Sequence, residues 1–389
     1  MADVINELKS SPLFYMSLGS MELFHSNFWY WLFQKNIKFI RAFFYEDEIS
    51  NESLKKVNIK NIKREYRHTD IYIECNDGVY ILENKIKTIA NENQLLNYEY
   101  NFKNIFKKGK YLIVQNNENI DLKLEKWKSL LYNDVINEIE KISNSLKDVI
   151  DFTSYIIISE YVNMTRNVIS VINRAINDLK LNNTLLINEN NELMKYLTDL
   201  RLDDIIKKIN GSMLLNTLKN ELIKDYNESE YYYQCGYNHK KITISIRRKI
   251  IINKNKYIFI GPQLEGNSFR RMIHLTNKEF GIEKTDSDLR KLYDKLENVY
   301  FNDEKFKYPI TKDNKKKKYN EYKGIYGDKN EGLDKQDYIA IYRFLKINEE
   351  INNEEIIFKD IIKLFKDELE YVKKIDIDHL VMKLENKEK

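Results

Sequence analysis

Apolar positions in this chain change period along its length, and each change marks an element. From about Met21 to Gln34 they recur at helical spacing, which predicts an amphipathic helix. From about Asn58 to Arg67 a strand is predicted. Two further β-prone runs, Ile71 to Cys75 and Val79 to Leu82, flank Asn76-Asp77-Gly78. Asp-Gly supplies the positive φ of a tight turn, so these runs read as a hairpin. A helix over about Asn91 to Phe106 and a short apolar strand from Tyr111 to Val114 follow, giving the order α-β-β-β-α-β. Phe152 to Ser159 reads as one more buried strand extending this sheet, and Asn163 to about Leu218 as helices. Near Asn220 the character shifts. Tyr231 to Tyr237, Lys241 to Arg248 and Lys256 to Gly261 predict antiparallel strands, and Ile242, Ile244 and Ile246 alternate with Thr243, Ser245 and Arg247, so one face is apolar and the other polar and partly basic. From Asp334 onward the chain reads as helical and highly charged. The expected organisation is an α/β core with a helical extension over residues 1–219, and an α+β accessory region over residues 220–389.

The hairpin carries the candidate chemistry. With Asp77 and Gly78 as its loop, Tyr72 faces Glu83 and Asp70 faces Lys85. Facing residues share a side of the sheet and side chains alternate along each strand, so Asp70, Tyr72, Ile81, Glu83 and Lys85 take one face and Ile71, Ile73, Leu82 and Asn84 the other. A four-residue loop, with Asp70 opposite Glu83, keeps those faces. A three-residue loop would set Asp70 opposite Asn84 and separate the charges. Two carboxylates about 4 Å apart repel by roughly 4 kcal/mol at an effective dielectric near 20, so a fold that gathers them implies a cation between them. Mg²⁺ suits such a place: it takes one or two carboxylates, retains waters and accepts phosphate oxygens. Lys85 would stand beside a bound water as a cation or proton carrier. The competing reading is a solvated, charge-paired strand face, because Glu385-Asn386-Lys387 repeats the tripeptide with no hairpin before it.

The context decides. Asp on the second core strand and Glu-x-Lys on the third, within this order of elements, resembles the PD-(D/E)XK nuclease superfamily. Glu22-Leu23-Phe24-His25-Ser26-Asn27-Phe28-Trp29-Tyr30-Trp31-Leu32, Arg64-Glu65 ahead of Asp70, and Gln94-Leu95-Leu96-Asn97-Tyr98 are similar to the motifs of one branch of it. The motifs span about Ser20 to Tyr98, and the Gly-Asp pair usual before the first strand has no counterpart between Phe33 and Val57. The resemblance implies a restriction-endonuclease-like αβββαβ core with a mixed central sheet. It implies a metal-dependent nuclease that hydrolyses phosphodiester bonds of DNA in bacterial genome defence, with Mg²⁺ as cofactor and Mn²⁺ as a substitute. Asp70 and Glu83 would then be metal carboxylates, with the Asn84 backbone carbonyl as a further ligand. Lys85 would be the catalytic lysine, and Glu22 the acid of the first helix that completes the site. Gln94 and Tyr98, four apart on one helix face, would touch phosphate or the site's waters. His25 would contact phosphate and Glu65 support the metal residues. For Glu22 the alternative is an exposed helix carboxylate, for Gln94 and Tyr98 a helix-to-sheet hydrogen bond with core packing, for His25 a packing role, and for Glu65 an ordinary strand position. An RNA-cleaving, toxin-like effector, or a non-catalytic binding or sensor protein on the same scaffold, are the other functions to be tested.

Composition narrows the field. The five histidines have no His-x-x-x-His spacing and the two cysteines form no Cys-x-x-Cys pair, so no zinc site is indicated. Phosphate-loop, dinucleotide-fold and serine-hydrolase motifs are missing from the sequence. No apolar run reaches the roughly 18 residues of a membrane helix, and no secretory signal pattern opens the chain, so a cytoplasmic protein without membrane contact is expected. With a net charge of only +4, affinity for nucleic acid must come from local clusters. Lys60, Lys63, Arg64, Arg67, His68, Lys85 and Lys87 surround the hairpin; Arg247-Arg248-Lys249, Arg270-Arg271 and Lys315 to Lys318 are further candidates, for which a solvated surface is the favoured reading. The accessory region is left open between substrate recognition, a protein partner and a homodimer.

Overall fold

The computed structural model describes residues 2–18, 21–44, 59–86, 92–114, 124–182, 185, 192–238, 241–253, 256–276, 295–296, 299–301, 323–324, 338–346 and 357–385. The chain divides into two compact units, Met1–Asp178 with Asn190–Ile206, and Leu179–Glu189 with Lys207–Lys389. No helix among the described residues is long and apolar enough to cross a membrane.

The first unit is α/β. Its mixed five-stranded sheet has the order β1 (Ile59–Tyr66), β2 (Thr69–Cys75), β3 (Gly78–Lys85), β4 (Phe106–Ile113) and β5 (Trp127–Leu131). The first two neighbour pairs are antiparallel, the last two parallel. β3 lies at the centre and is buried almost throughout, as a run of apolar residues between two neighbours requires, whereas β1 is a largely exposed edge. After the short helices α1 (Ala2–Ser10) and α2 (Pro12–Ser17), α3 (Met21–Lys35) buries Met21, His25, Ser26, Phe28, Trp29, Leu32 and Phe33. A 3₁₀ turn (Ile37–Ile40) and α4 (Arg41–Phe44) follow. On the opposite side of the sheet α5 (Glu92–Asn101) packs Leu95 and Tyr98 against Tyr72, Val79, Ile81, Tyr111 and Trp127. A Cβ on Gly109 would come within 2.3 Å of the Trp127 ring, so only glycine lets β5 lie flat beside β4.

The hairpin turn differs from the Asp77-Gly78 loop read from the sequence. Cys75 pairs with Gly78 and Ile71 with Leu82, which places Asn76 and Asp77 in the loop. Gly78 has φ +143° and its amide side approaches β4 so closely that a Cβ would meet the Ile105 carbonyl oxygen at 2.7 Å. The glycine is thus spent on strand packing and not on the second turn position. The shift is by two residues in the pairing, so the alternation of faces is preserved.

Helix α6 (Tyr132–Ser145) leads to α7 (Phe152–Asn182). The strand expected over Phe152 to Ser159 is the start of this helix. Asp151 caps it, accepting from the Ser154 N–H at 2.8 Å and the Ser154 hydroxyl at 2.7 Å. Phe152 is 78% exposed, which a buried strand would not allow, and Ile158, Tyr161, Val162 and Thr165 carry the buried stripe onward at helical spacing. The β-branched run Ile156-Ile157-Ile158 is overruled by its cap and its helical neighbours. α8 (Glu192–Asp199) and α9 (Asp203–Leu222) follow.

The second unit holds a six-stranded antiparallel sheet in the order β10 (Lys323–Gly324), β11 (Tyr338–Lys346), β9 (Ser268–Thr276), β8 (Lys256–Glu265), β7 (Lys241–Asn253) and β6 (Tyr231–Asn238). β11 corrects the all-helical reading after Asp334: its Ile-, Tyr- and Phe-rich run pairs with β9 along its whole length. α10 (Phe358–Lys374) buries Phe358, Ile361, Phe365, Leu369 and Val372, the first four against Ile242, Ile244, Ile246, Leu264 and Phe269 of the sheet. α11 (Ile377–Glu385) completes a second cluster through Leu380, with Ile250, Ile258, Ile260 and Ile273.

Candidate active site

The β2–β3 ladder ends at Ile71 and Leu82, and the same register carried one step further sets Asp70 opposite Glu83. Beyond the ladder a side chain takes over from backbone. Asp70 Oδ2 accepts the Asn84 N–H at 2.6 Å, and Ser26 Oγ on α3 donates to Asp70 Oδ1 at 3.4 Å. The Asn84 side chain lies on the other face, donating to the Glu22 carbonyl at 2.8 Å and accepting from the Ile86 N–H at 3.1 Å and from the Tyr132 hydroxyl. These bonds fix the backbone of Asn84, and hence the amide that holds Asp70. The N–H and C=O of one extended residue leave the strand on the same side, so the Asn84 carbonyl is directed toward β2 as well.

Glu83 and Lys85 occupy the face covered by α5. Glu83 is 3% exposed, and its Oε1 accepts from Lys85 Nζ at 2.8 Å and from Gln94 Nε2 at 2.8 Å. Lys85 Nζ donates a second bond, to Gln94 Oε1 at 2.9 Å. Gln94 Nε2 also donates to the Tyr98 hydroxyl at 2.7 Å, and that hydroxyl donates to the His68 carbonyl at 2.8 Å. These bonds tie α5, β3 and the β1–β2 turn into one network. Two positions stand over. Glu83 Oε2 is buried with no hydrogen-bond partner. An ammonium group has three N–H donors, of which these bonds use two.

The electrostatics follow from that crowding. Burial, then the charge of Glu83, push the Asp70 carboxyl up to about 7, against the pull of the Asn84 N–H and Lys85, with Glu22 adding to the rise. Burial also raises Glu83, while the adjacent Lys85 counteracts it most strongly. Both acids resist ionisation together in the absence of a further cation. Among the described residues no group of three His, Cys, Asp or Glu side chains is gathered closely enough to hold a metal on its own. A Mg²⁺ ion needs fewer, one or two carboxylates with waters. The buried, unpartnered Glu83 Oε2 and the carboxyl of Asp70 would supply those oxygens, a donor set of the kind a hard divalent cation takes.

The remaining sequence candidates separate. Glu22 is half-buried on α3, near enough for its charge to raise Asp70. Gln94 and Tyr98 belong to the network just described. His25 does not: it is fully buried, its Nδ1 lies 2.7 Å from the Tyr161 hydroxyl, and desolvation pushes it down to about 3. A neutral ring enclosed by Trp29, Tyr132 and Tyr161 cannot reach a phosphate, so that contact is withdrawn. Glu65 is exposed on β1 with φ +52° and stands outside the network. Of the basic clusters, Lys60, Arg64, Arg67 and His68 are exposed on β1 and its turn. Arg270 and Arg271 are turned inward instead, bonded to Glu265 and Glu368, which removes them as phosphate contacts. Lys87 and Lys315 to Lys318 lie outside the described residues.

Two supporting residues escaped the sequence reading. Ser26 is one helical turn after Glu22, a spacing visible in the sequence once α3 is taken to face the hairpin. Tyr132 begins α6 nearly fifty residues after Asn84, and no local pattern links them. No family model, no curated protein and no solved structure matches the chain.

Proposed function

We propose that this protein is a metal-dependent nuclease of the PD-(D/E)XK type, hydrolysing phosphodiester bonds, with DNA favoured over RNA. The reading is carried by one observation: Asp70, Glu83 and Lys85 meet at the end of one hairpin ladder, with Glu83 Oε2 left buried and unpartnered. A buried carboxylate oxygen with no donor is the exception in folded proteins, and a bound cation would satisfy it.

Asp70 and Glu83 would hold the ion, with the Asn84 carbonyl and Glu22 as further oxygens. When bound, Mg²⁺ supplies a polarised phosphate oxygen and a water of lowered pKa. The chain's own residues do the rest. Lys85, held in place by Glu83 and Gln94, directs its third N–H donor at the attacking water or at a phosphate oxygen. Tyr98 and Gln94 keep Lys85 in that pose. Lys60, Arg64 and Arg67 on the exposed edge strand attract the substrate backbone. The order of α3, β1, β2, β3, α5 and β4, with its mixed sheet, supports a restriction-endonuclease-like core.

The test incubates the protein with single- and double-stranded DNA and RNA, each with Mg²⁺, Mn²⁺ or chelator. Metal-dependent cutting of DNA is expected. Cutting confined to RNA would favour a toxin-like effector, and binding without cutting of any substrate would leave a sensor on the same scaffold.

A further inference from the structure

One hydroxyl on α7 grips a full turn of α3. Trp29 Nε1 donates to the Tyr161 oxygen at 2.8 Å, and His25 Nδ1 lies 2.7 Å from the same oxygen. An indole N–H can only donate, so the hydroxyl hydrogen is left for His25, whose Nδ1 accepts it. The Tyr161 ring also stacks on Phe28, with centroids 3.6 Å apart and planes 8° from parallel. His25, Phe28 and Trp29 stand at i, i+3 and i+4, which is the spacing of one helix face. All of them are buried, as is Tyr161. Apolar contact alone would keep α3 in the core, but it has no direction. Two bonds to a single oxygen do, and they set the rotation of the helix about its axis.

That rotation matters because the same turns of α3 reach the hairpin. The Glu22 carbonyl accepts from Asn84 Nδ2 at 2.8 Å, and Ser26, the residue after His25, has its hydroxyl 3.4 Å from Asp70 Oδ1. The second distance is at the limit of a hydrogen bond, so a turn of the helix by a few tenths of an ångström would part the two. A further route runs through rings. His25 meets the Tyr132 ring edge to face at 5.3 Å, and the Tyr132 hydroxyl bonds the Asn84 side chain. Both routes from Tyr161 end on Asn84, whose N–H holds Asp70.

We propose that the Tyr161 hydroxyl is a positioning group for the metal site: by joining His25 to Trp29 it sets the rotation of α3, and so the placement of Asn84 and Asp70. This role rests on the nuclease reading above, and it employs His25 without contact with substrate. Cleavage of a defined oligonucleotide that wild type cuts is followed across Mg²⁺ concentrations. Tyr161→Phe keeps the stacked ring and loses the oxygen. It is expected to lower kcat roughly tenfold and to raise the Mg²⁺ concentration for half-maximal rate by a similar factor, with KM unchanged. His25→Leu should match it. His25→Asn, whose side-chain oxygen replaces Nδ1 as acceptor, should keep most of the activity, which the loss of a phosphate contact would not allow. Val168→Ala, a buried truncation two turns further along α7, should lower the melting temperature and leave the rate alone. Melting curves identify the folded variants, and the pair at His25 decides if Tyr161→Phe is not among them. Wild type that neither cuts nor melts higher with Mg²⁺ would sink the nuclease reading and this role together. If wild type cuts, unchanged kcat and Mg²⁺ dependence in folded Tyr161→Phe or His25→Leu would overturn this role alone, as would an equal loss of rate in Val168→Ala.

Discussion

The Asn84 amide donates to the Asp70 carboxylate at 2.6 Å, at the point where the β2–β3 ladder runs out. A side-chain oxygen stands where a strand carbonyl would otherwise be, so Asp70 is drawn inward beside Glu83 while its strand is still extended. Charge crowding at this site is therefore a product of backbone pairing, and single substitutions test it.

Removing the charge of Asp70 should stabilise the metal-free protein at alkaline pH. Its carboxyl rises from an ordinary value of 3.8 to about 7 on folding, so the folded state holds this proton more tightly. The contribution is complete below the unfolded value and is lost as pH rises through about 7. Urea unfolding with chelator, near pH 5 and near pH 8, should show wild type losing on the order of 2 kcal/mol more than Asp70→Asn between the two. Added Mg²⁺ should then raise the melting temperature of wild type near pH 8 and leave Asp70→Asn unmoved. Parallel pH profiles for the two proteins would refute the assignment.

Lys85→Ala should reduce metal-dependent cleavage by at least about a hundredfold, the usual cost of deleting a group that meets developing charge. Asp70→Ala should do the same. Neither should impair oligonucleotide binding measured with chelator, and cutting at the wild-type rate by both variants would exclude this site.

Tyr132→Phe removes one hydroxyl and leaves the ring. Because that hydroxyl bonds the Asn84 side chain, the change should cost about 1 kcal/mol of stability and lower kcat about tenfold with little change in KM. Steady-state kinetics on a defined oligonucleotide would separate this from weakened substrate binding, which would raise KM instead.

In the second unit, Arg271 is 1% exposed and Glu368 is 4% exposed, and the guanidinium meets both carboxylate oxygens while lying 3.5 Å from the Tyr371 ring. Glu368→Gln or Arg271→Met alone should destabilise by about 3–5 kcal/mol, since each leaves a charge or polar group buried without its match. The Arg271→Met, Glu368→Leu pair should recover much of that loss. Denaturant midpoints of the three variants check it, and a double variant no better than either single one would contradict the argument.

What the sequence disclosed, and what it withheld, has a physical pattern. That Glu83 and Lys85 point the same way was readable because side chains alternate along a strand. The identity of the turn residues was not, because Gly78 is claimed by the approach of Ile105, from a segment about thirty residues away. The strand at Phe152 was misread because a run of isoleucines has no period of its own. The cap at Asp151 and the stripe through Tyr161 decide it, and both lie at its margins. β5 escaped notice because Trp127–Leu131 alternates weakly and owes its place to Gly109 of its neighbour. His25 sits in a motif one turn from Glu22, but it lies about sixty degrees further round the helix, and Trp29, Tyr132 and Tyr161, two of them distant in sequence, enclose it there.

The hairpin tip sets how this protein can vary. Lengthening the Asn76-Asp77 connection by two residues would leave the acids where they are, because alternation restores itself. Lengthening it by one would swing Glu83 and Lys85 to the side now held by Asn84, bury the ammonium against α3, and leave Asp70 without its counterpart. Changes at this loop should therefore come in even steps, and an odd step, which buries an unpaired ammonium in the central strand, should cost stability as well as activity.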